Sequence, residues 1–195
     1  MRELLLAVAA MAVFQNVLLT QGFGLSLTLR TSRRGRDVWL YGLPLLGFAL
    51  ATVSIAHPIY NNFLFVQFHN NMWVLRWVYP LLLVVILALL YIVVTAILML
   101  WLPGVYDKAK RVLPLAAFNN LTVGMALFMA NRNTPNFATE LAMTLGGCLG
   151  FLLLNWLLLE GRLRLDNPQL PRVFRGMPVN LLYLGIIALA LMGFR

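Results

Sequence analysis

Residues 13–27 read V-F-Q-N-V-L-L-T-Q-G-F-G-L-S-L, the second half of a long apolar run that ends at the arginine cluster Arg30, Arg33, Arg34 and Arg36. Crossing a bilayer takes about 20 apolar residues, and the run Leu4–Leu29 is long enough. Yet Gln15, Asn16, Thr20, Gln21, Gly22, Gly24 and Ser26 sit where a membrane helix ordinarily carries leucine or valine. The chain returns to this pattern at 118–124, F-N-N-L-T-V-G. Glycine permits a break in a membrane helix, and amides or hydroxyls satisfy the backbone groups that the break frees.

Working outward, the chain has 195 residues, 62% hydrophobic and 11% charged. A soluble domain carries roughly a quarter charged residues. The composition therefore predicts an all-α integral membrane protein. Six spans are legible, at about Leu4–Leu29, Val38–Ala56, Tyr79–Leu102, Leu113–Met129, Phe137–Leu159 and Val179–Phe194. An arginine cluster follows the first with no small-residue cleavage pattern, which argues against a secretory signal. Between spans two and three, His57 to Val78 is interrupted by Asn61, Asn62, His69, Asn70, Asn71 and Arg76, and reads as an interfacial segment with Trp73, Trp77 and Tyr79 as an aromatic belt.

Charge sets the expected orientation. Of fifteen Lys and Arg residues, Arg30, Arg33, Arg34, Arg36, Lys108, Lys110, Arg111, Arg162, Arg164, Arg172 and Arg175 follow spans one, three and five. Only Arg2, Arg76, Arg132 and Arg195 fall on the other side. The positive-inside rule then places the loops after helices 1, 3 and 5 in the cytoplasm and both termini outside. The net charge of +9 is spread over short loops, which fits topology and anionic lipid headgroups rather than nucleic acid.

Spans one and four share polar, glycine-containing centres that the other spans lack, and they enter the membrane from opposite faces. This predicts one transmembrane domain over 1–195, built as two inverted three-helix repeats (about 1–103 and 104–195) with helices 1 and 4 broken near mid-membrane. Small and amide residues also serve tight helix crossings. The pairing at equivalent positions favours a functional centre between the two segments. Gln15, Asn16, Gln21, Ser26, Asn119, Asn120 and Thr122 are its candidate polar or ion-binding groups.

Little else in the sequence points to chemistry. No phosphate loop, dinucleotide fingerprint, catalytic triad or metal-spaced cluster is present, so no catalytic or metal-ligating residue is expected. His57 and His69 fall outside the apolar spans and read as interfacial. Glu3, Asp37, Asp107, Glu140, Glu160 and Asp166 all fall near span ends, which argues against a carboxylate relay within the bilayer. Cys148, the single cysteine, lies in G-G-C-L-G, a run suited to close helix packing. Pro44, Pro80 and Pro114 fall near helix starts, where proline is tolerated, and Asn155 with Trp156 reads as an interfacial or partner-facing pair.

Three blocks carry a resemblance: 13–27 with S-R-R at 32–34, L-P-L-A-A-F-N-N-L-T-V-G-M-A-L at 113–127, and F-R-G-M-P-V-N-L-L-Y-L-G-I-I-A-L-A-L-M-G-F at 174–194. In these the chain resembles the small six-helix subunits of the Rnf and Na⁺-translocating NADH:quinone reductase complexes. It is most similar to the A-type member of Rnf and its counterpart NqrE, and is related to RnfE and NqrD. The resemblance implies a bacterial inner-membrane subunit of a redox-driven ion pump, paired with a homologous six-helix subunit of opposite topology. It also implies partners bearing flavins and iron–sulfur centres, and a [2Fe–2S] cluster shared between the two sister subunits in mid-membrane. Each sister supplies one cysteine from span one and one from span four. Those positions are Ser26 and Asn120 here, framed by Gly22, Gly24, Asn119 and Gly124. With both thiolates replaced, the expectation is a subunit of structural or ion-path role that does not itself hold the cluster. The alternative is a stand-alone inverted-repeat transporter or channel for a small ion or polar solute, served by oxygen ligands.

Overall fold

In the computed structural model the described residues are 2–31, 35–68, 71–132, 136–165, 171 and 176–193, and their regular structure is helical throughout. The S-R-R at 32–34, His69, Asn70, Asp166, Arg172, Arg175 and Arg195 lie outside them. The first apolar run folds as three short helices, α1 (Arg2–Ala12), α2 (Val17–Gln21) and α3 (Leu25–Thr31). After it come α4 (Gly35–Ile59), a π-helical turn at Tyr60–Leu64 and the short α5 (Phe65–Phe68). Then follow α6 (Met72–Trp101) and the loop helix α7 (Pro103–Ala109). The second polar segment lies between α8 (Leu113–Ala117) and α9 (Asn120–Arg132). The chain ends with α10 (Phe137–Leu165) and α11 (Met177–Met192).

Four segments among the described residues are long and apolar enough to cross a membrane: Gly35–Phe68, Leu75–Trp101, Leu113–Ala130 and Phe137–Arg162. Met177–Met192 is apolar but shorter. The first run fails the length criterion because it is broken twice, at 13–16 and at 22–24. The stretch expected to lie at the interface is largely helical. α4 runs on through His57 and Pro58 into the π-turn and α5, and α6 already begins at Met72. Pro44 and Pro80 lie inside α4 and α6 rather than at their starts, whereas Pro114 occupies the first turn of α8. At 1.5 Å per residue α6 is about 45 Å long, more than the ~30 Å hydrocarbon thickness. Its outward face carries Leu81, Ile92, Leu100 and Trp101, all well exposed, as suits lipid or a neighbouring helix.

The core gathers around α10, which packs along α1 and α4. The G-G-C-L-G run provides the closest approach. A methyl group at Gly146 would stand 2.5 Å from the Val8 carbonyl oxygen, and one at Gly150 would stand 2.7 Å from that of Ala12. Only glycine lets the two backbones meet there. Cys148 is buried in the same core with Met125, Phe151 and Leu154. Asn155 is fully buried too, contrary to an interfacial role, while Trp156 on the neighbouring face is exposed.

Candidate functional site: a groove between two broken helices

Both breaks are built by side-chain amides that take over the work of absent backbone partners. Asn16 precedes α2, where its Oδ1 accepts from the Leu18 N–H at 3.0 Å and its Nδ2 donates to the Ala12 carbonyl at 2.9 Å. One residue thereby serves the end of α1 and the start of α2. Asn119 acts likewise before α9, with Oδ1 accepting from the Leu121 N–H at 2.9 Å. The Thr122 hydroxyl turns back to the Ala116 carbonyl at 3.2 Å, satisfying the end of α8.

The second break in the first run falls at Gly22-Phe23-Gly24. Gly22 and Gly24 take φ of +70° and +82°, a left-handed conformation that side chains other than hydrogen disfavour. The N–H of Gly24 donates to Asn120 Oδ1 at 2.7 Å, joining the two broken segments directly across 96 residues of sequence. Phe23 lies against Gly124, where a methyl group would come within 2.5 Å of the ring. Behind the break, Thr28 donates to the Gly24 carbonyl at 3.1 Å. Buried Asn155 in turn donates to Thr28 Oγ1 at 3.3 Å and to the Phe151 carbonyl at 2.8 Å. Arg162 reaches the Leu29 carbonyl at 3.3 Å near the end of α3.

On the outward side of this junction is an open groove of about 610 Å³, lined by Ser26, Leu27, Pro114, Leu115, Phe118, Asn119 and Asn120. Ser26 and Asn120, the two cysteine positions of the resemblance, are both exposed and face this one groove. The remaining candidates are dispersed. Asn16 and Thr20 line a separate 150 Å³ cavity beside Ala188, Leu191 and Met192 of α11. Gln21 is exposed, Gln15 is half-buried, and Thr122 is buried and committed to Ala116.

The groove's donor set is hydroxyl and amide. Asn120 Oδ1 is already engaged by Gly24, and Cys148 sits in the core on another helix, away from the groove lining. Cysteine thiolates are the usual ligands of an iron–sulfur cluster, and these residues do not match that requirement.

A second polar centre was not legible in the sequence. His57, inside α4, places Nδ1 2.6 Å from Glu140 Oε2 on the first turn of α10, and both side chains are largely buried. The Asn61 amide nitrogen lies 3.3 and 3.2 Å from the two imidazole nitrogens. The Phe137 ring tilts against the imidazole at 5.1 Å. Glu140 does sit near a helix start, as expected, but it is buried rather than facing water.

Comparison with known proteins bears on the whole chain. The model of the family described as Rnf-Nqr subunit, membrane protein, matches residues 4–195. Over 194 residues the chain is 27% identical to the A-type subunit of the ion-translocating oxidoreductase complex of Syntrophotalea carbinolica, covering 100% of this chain and 97% of that one. The similarly named protein of an Azoarcus species is 26% identical over the same span. Over 92 residues, 47% of each chain, it is 34% identical to the A-type subunit of the Na(+)-translocating ferredoxin:NAD(+) oxidoreductase complex of Acetobacterium woodii.

Proposed function

The chain belongs to the Rnf-Nqr family of membrane subunits, and we propose that it works as the A-type subunit of a redox-driven, ion-translocating complex, keeping the frame of the family's cluster site without its ligands. The observation that carries this reading is the junction of Gly24 with Asn120, which presents Ser26 and Asn120 together on one open groove. A groove bordered by residues of both broken segments, joined through Gly24 and Asn120, suits a sister subunit docked over it. Its partners on this reading are a homologous six-helix subunit of opposite topology and flavin- and iron–sulfur-bearing subunits.

The architecture in this reading is six crossings in two inverted halves. The segments α1–α3 make the first crossing and α8–α9 the fourth, with α4, α6, α10 and α11 as the others. In support, Asn16 and Asn119 cap the two broken crossings in the same way, each through the N–H two residues on. The cation-rich loops after crossings one, three and five lie in the cytoplasm of the bacterial host, with both termini outside.

The chain's own residues hold shape in this role. Asn120 fixes the left-handed turn at Gly24, and Thr28 with Asn155 ties that turn into α10. The amide oxygens of Asn120 and Asn119 each accept one internal hydrogen bond, and the Thr122 hydroxyl donates another. That commitment favours a subunit frame over a stand-alone site that strips water from a passing ion.

Purification through a tag on this chain, with mass spectrometry of what accompanies it, tests the proposal. The expected result is a homologous membrane subunit together with flavin-bearing subunits. A stable monomer lacking these partners, and active in ion-dependent uptake in liposomes, would contradict it.

A further inference from the structure

We propose that a depression at the start of α6 binds the headgroup of one anionic phospholipid, with Arg76 and Tyr60 holding its phosphate. The site shares no lining residue with the Ser26–Asn120 groove and does not depend on the assembly proposed above. Depth in the membrane is the first observation. Arg76 is the one charged residue in the apolar segment Leu75–Trp101, and it stands in the first turn of that segment. At 1.5 Å per residue the segment is about 40 Å long, more than the ~30 Å hydrocarbon layer, so its ends reach the headgroups. Trp73 and Trp77, both exposed and with ring centroids 6.1 Å apart, lie on either side of Arg76 in the chain. Tryptophan gathers at that same interfacial level.

Shape is the second. The surface here is a hollow rather than a plain helix face: an open depression of about 620 Å³ bordered by α6, the π-helical turn and α9. Leu75 and Tyr79, both buried, line it from α6, and Leu127 and Ala130 line it from α9. The Tyr60 ring meets Tyr79 edge-on at 4.8 Å, which fixes the phenol in the lining. Walls of this kind accept the glycerol and first methylene groups of a lipid, while Arg76 stays at the polar level.

Charge is the third. Among the described residues the exposed Arg76 guanidinium meets no carboxylate, and the Tyr60 hydroxyl has no hydrogen-bond acceptor. Tyr79, by contrast, donates its hydroxyl to the Ala126 carbonyl at 3.4 Å. No lining side chain of the depression, among the described residues, is a carboxylate or an amide. Two donors on one hollow without an acceptor suit an anion rich in oxygens, and the planar guanidinium fork matches a phosphate. A phosphodiester joined to acyl chains satisfies the donors and the apolar walls together. Phosphatidylglycerol, with one net negative charge, neutralises Arg76, whereas a choline lipid brings a second cation beside it.

The test uses the full chain alone, in nanodiscs of equal parts phosphatidylglycerol and phosphatidylcholine. Native mass spectrometry reads the lipid retained on the released protein, and solid-state magnetic resonance reads the dipolar contact between Arg76 guanidinium nitrogen-15 and lipid phosphorus-31. The expected result is one phosphatidylglycerol retained over phosphatidylcholine by about tenfold, with Arg76 in contact with one phosphorus. Arg76→Gln lowers retention by about tenfold or more, Arg76→Lys by less, and Tyr60→Phe by about threefold. Arg2→Gln, which removes a cation from α1, leaves retention unchanged. Equal retention of the two lipids, or no contact between Arg76 and phosphorus, would overturn the proposal. So would an equal loss in Arg2→Gln and Arg76→Gln, in favour of diffuse attraction to the membrane surface. Should Arg76→Gln fail to fold, the wild-type lipid preference and phosphorus contact decide alone. The same Arg76 contact formed with inorganic phosphate added to phosphatidylcholine discs would overturn it in favour of a soluble anion.

Discussion

The Ser26–Asn120 groove and the His57–Glu140 pocket are two ways of placing polarity inside an apolar bundle. In the first the helices are broken, and neutral amides and hydroxyls repair the backbone they expose, as at Gly24 and Asn120. In the second α4 and α10 run unbroken past each other, and an imidazole and a carboxylate face one another across them. The groove is open and uncharged, fit for another protein surface. The second centre is largely buried and carries ionisable side chains. Breaking the backbone and burying a charge are alternative sources of polar function, and each imposes its own repair.

The largest effect is expected at the buried ion pair. His57→Leu alone should lower the unfolding free energy by about 3–5 kcal/mol, because the 2.6 Å contact with Glu140 inside the bundle is lost. The double variant His57→Leu/Glu140→Leu should recover most of that loss, as thermal unfolding in nanodiscs would show. Additive losses would mean that the two side chains do not act as a pair. Gly24→Ala comes next, at about 3 kcal/mol, since it combines a left-handed turn with a methyl group 2.9 Å from the Phe151 ring. Gly22→Ala should cost only about 1 kcal/mol, having the same conformation but open space around it. Asn120→Ala should cost about 2 kcal/mol by orphaning the Gly24 N–H, and Asn120→Asp, which keeps the acceptor, clearly less. Ser26→Ala, at an exposed position, should stay within about 0.5 kcal/mol. A large loss there would break the contrast, by giving the groove's hydroxyl a structural duty.

How much of this was legible in the sequence follows from the range of the interactions. Gly22, Gly24 and Asn119 announced the breaks because glycine and capping amides act on their own backbone within a few residues, whereas the bond from Gly24 to Asn120 spans 96 residues. G-G-C-L-G likewise announced close packing, since small side chains do so by absence of bulk. Composition reveals the membrane class, but six spans are legible in sequence where four long apolar segments stand among the described residues. The first run is cut into pieces too short to count, and its polarity is the same property that marks the site. His57 is misplaced by sequence for a local reason: Pro58 and the asparagines after it suggest a helix end, but the helix passes through Pro58 and relaxes into a π-turn at Tyr60–Leu64. Its contact with Glu140 spans 83 residues and leaves no periodic trace. Asn155 looks interfacial because amides usually are, and its hydrogen bonds to Thr28 and to the Phe151 carbonyl fit its burial.

The central claim is that the family's cluster site persists here as a frame whose own two positions bind no iron. The most direct measurement is iron content and the electron paramagnetic resonance spectrum of the complex purified on this chain, for the wild type and for Ser26→Ala. The account predicts that any cluster signal present is unchanged by Ser26→Ala, because partner subunits hold it. A signal and its iron lost together with the Ser26 hydroxyl, in an otherwise intact complex, would contradict it.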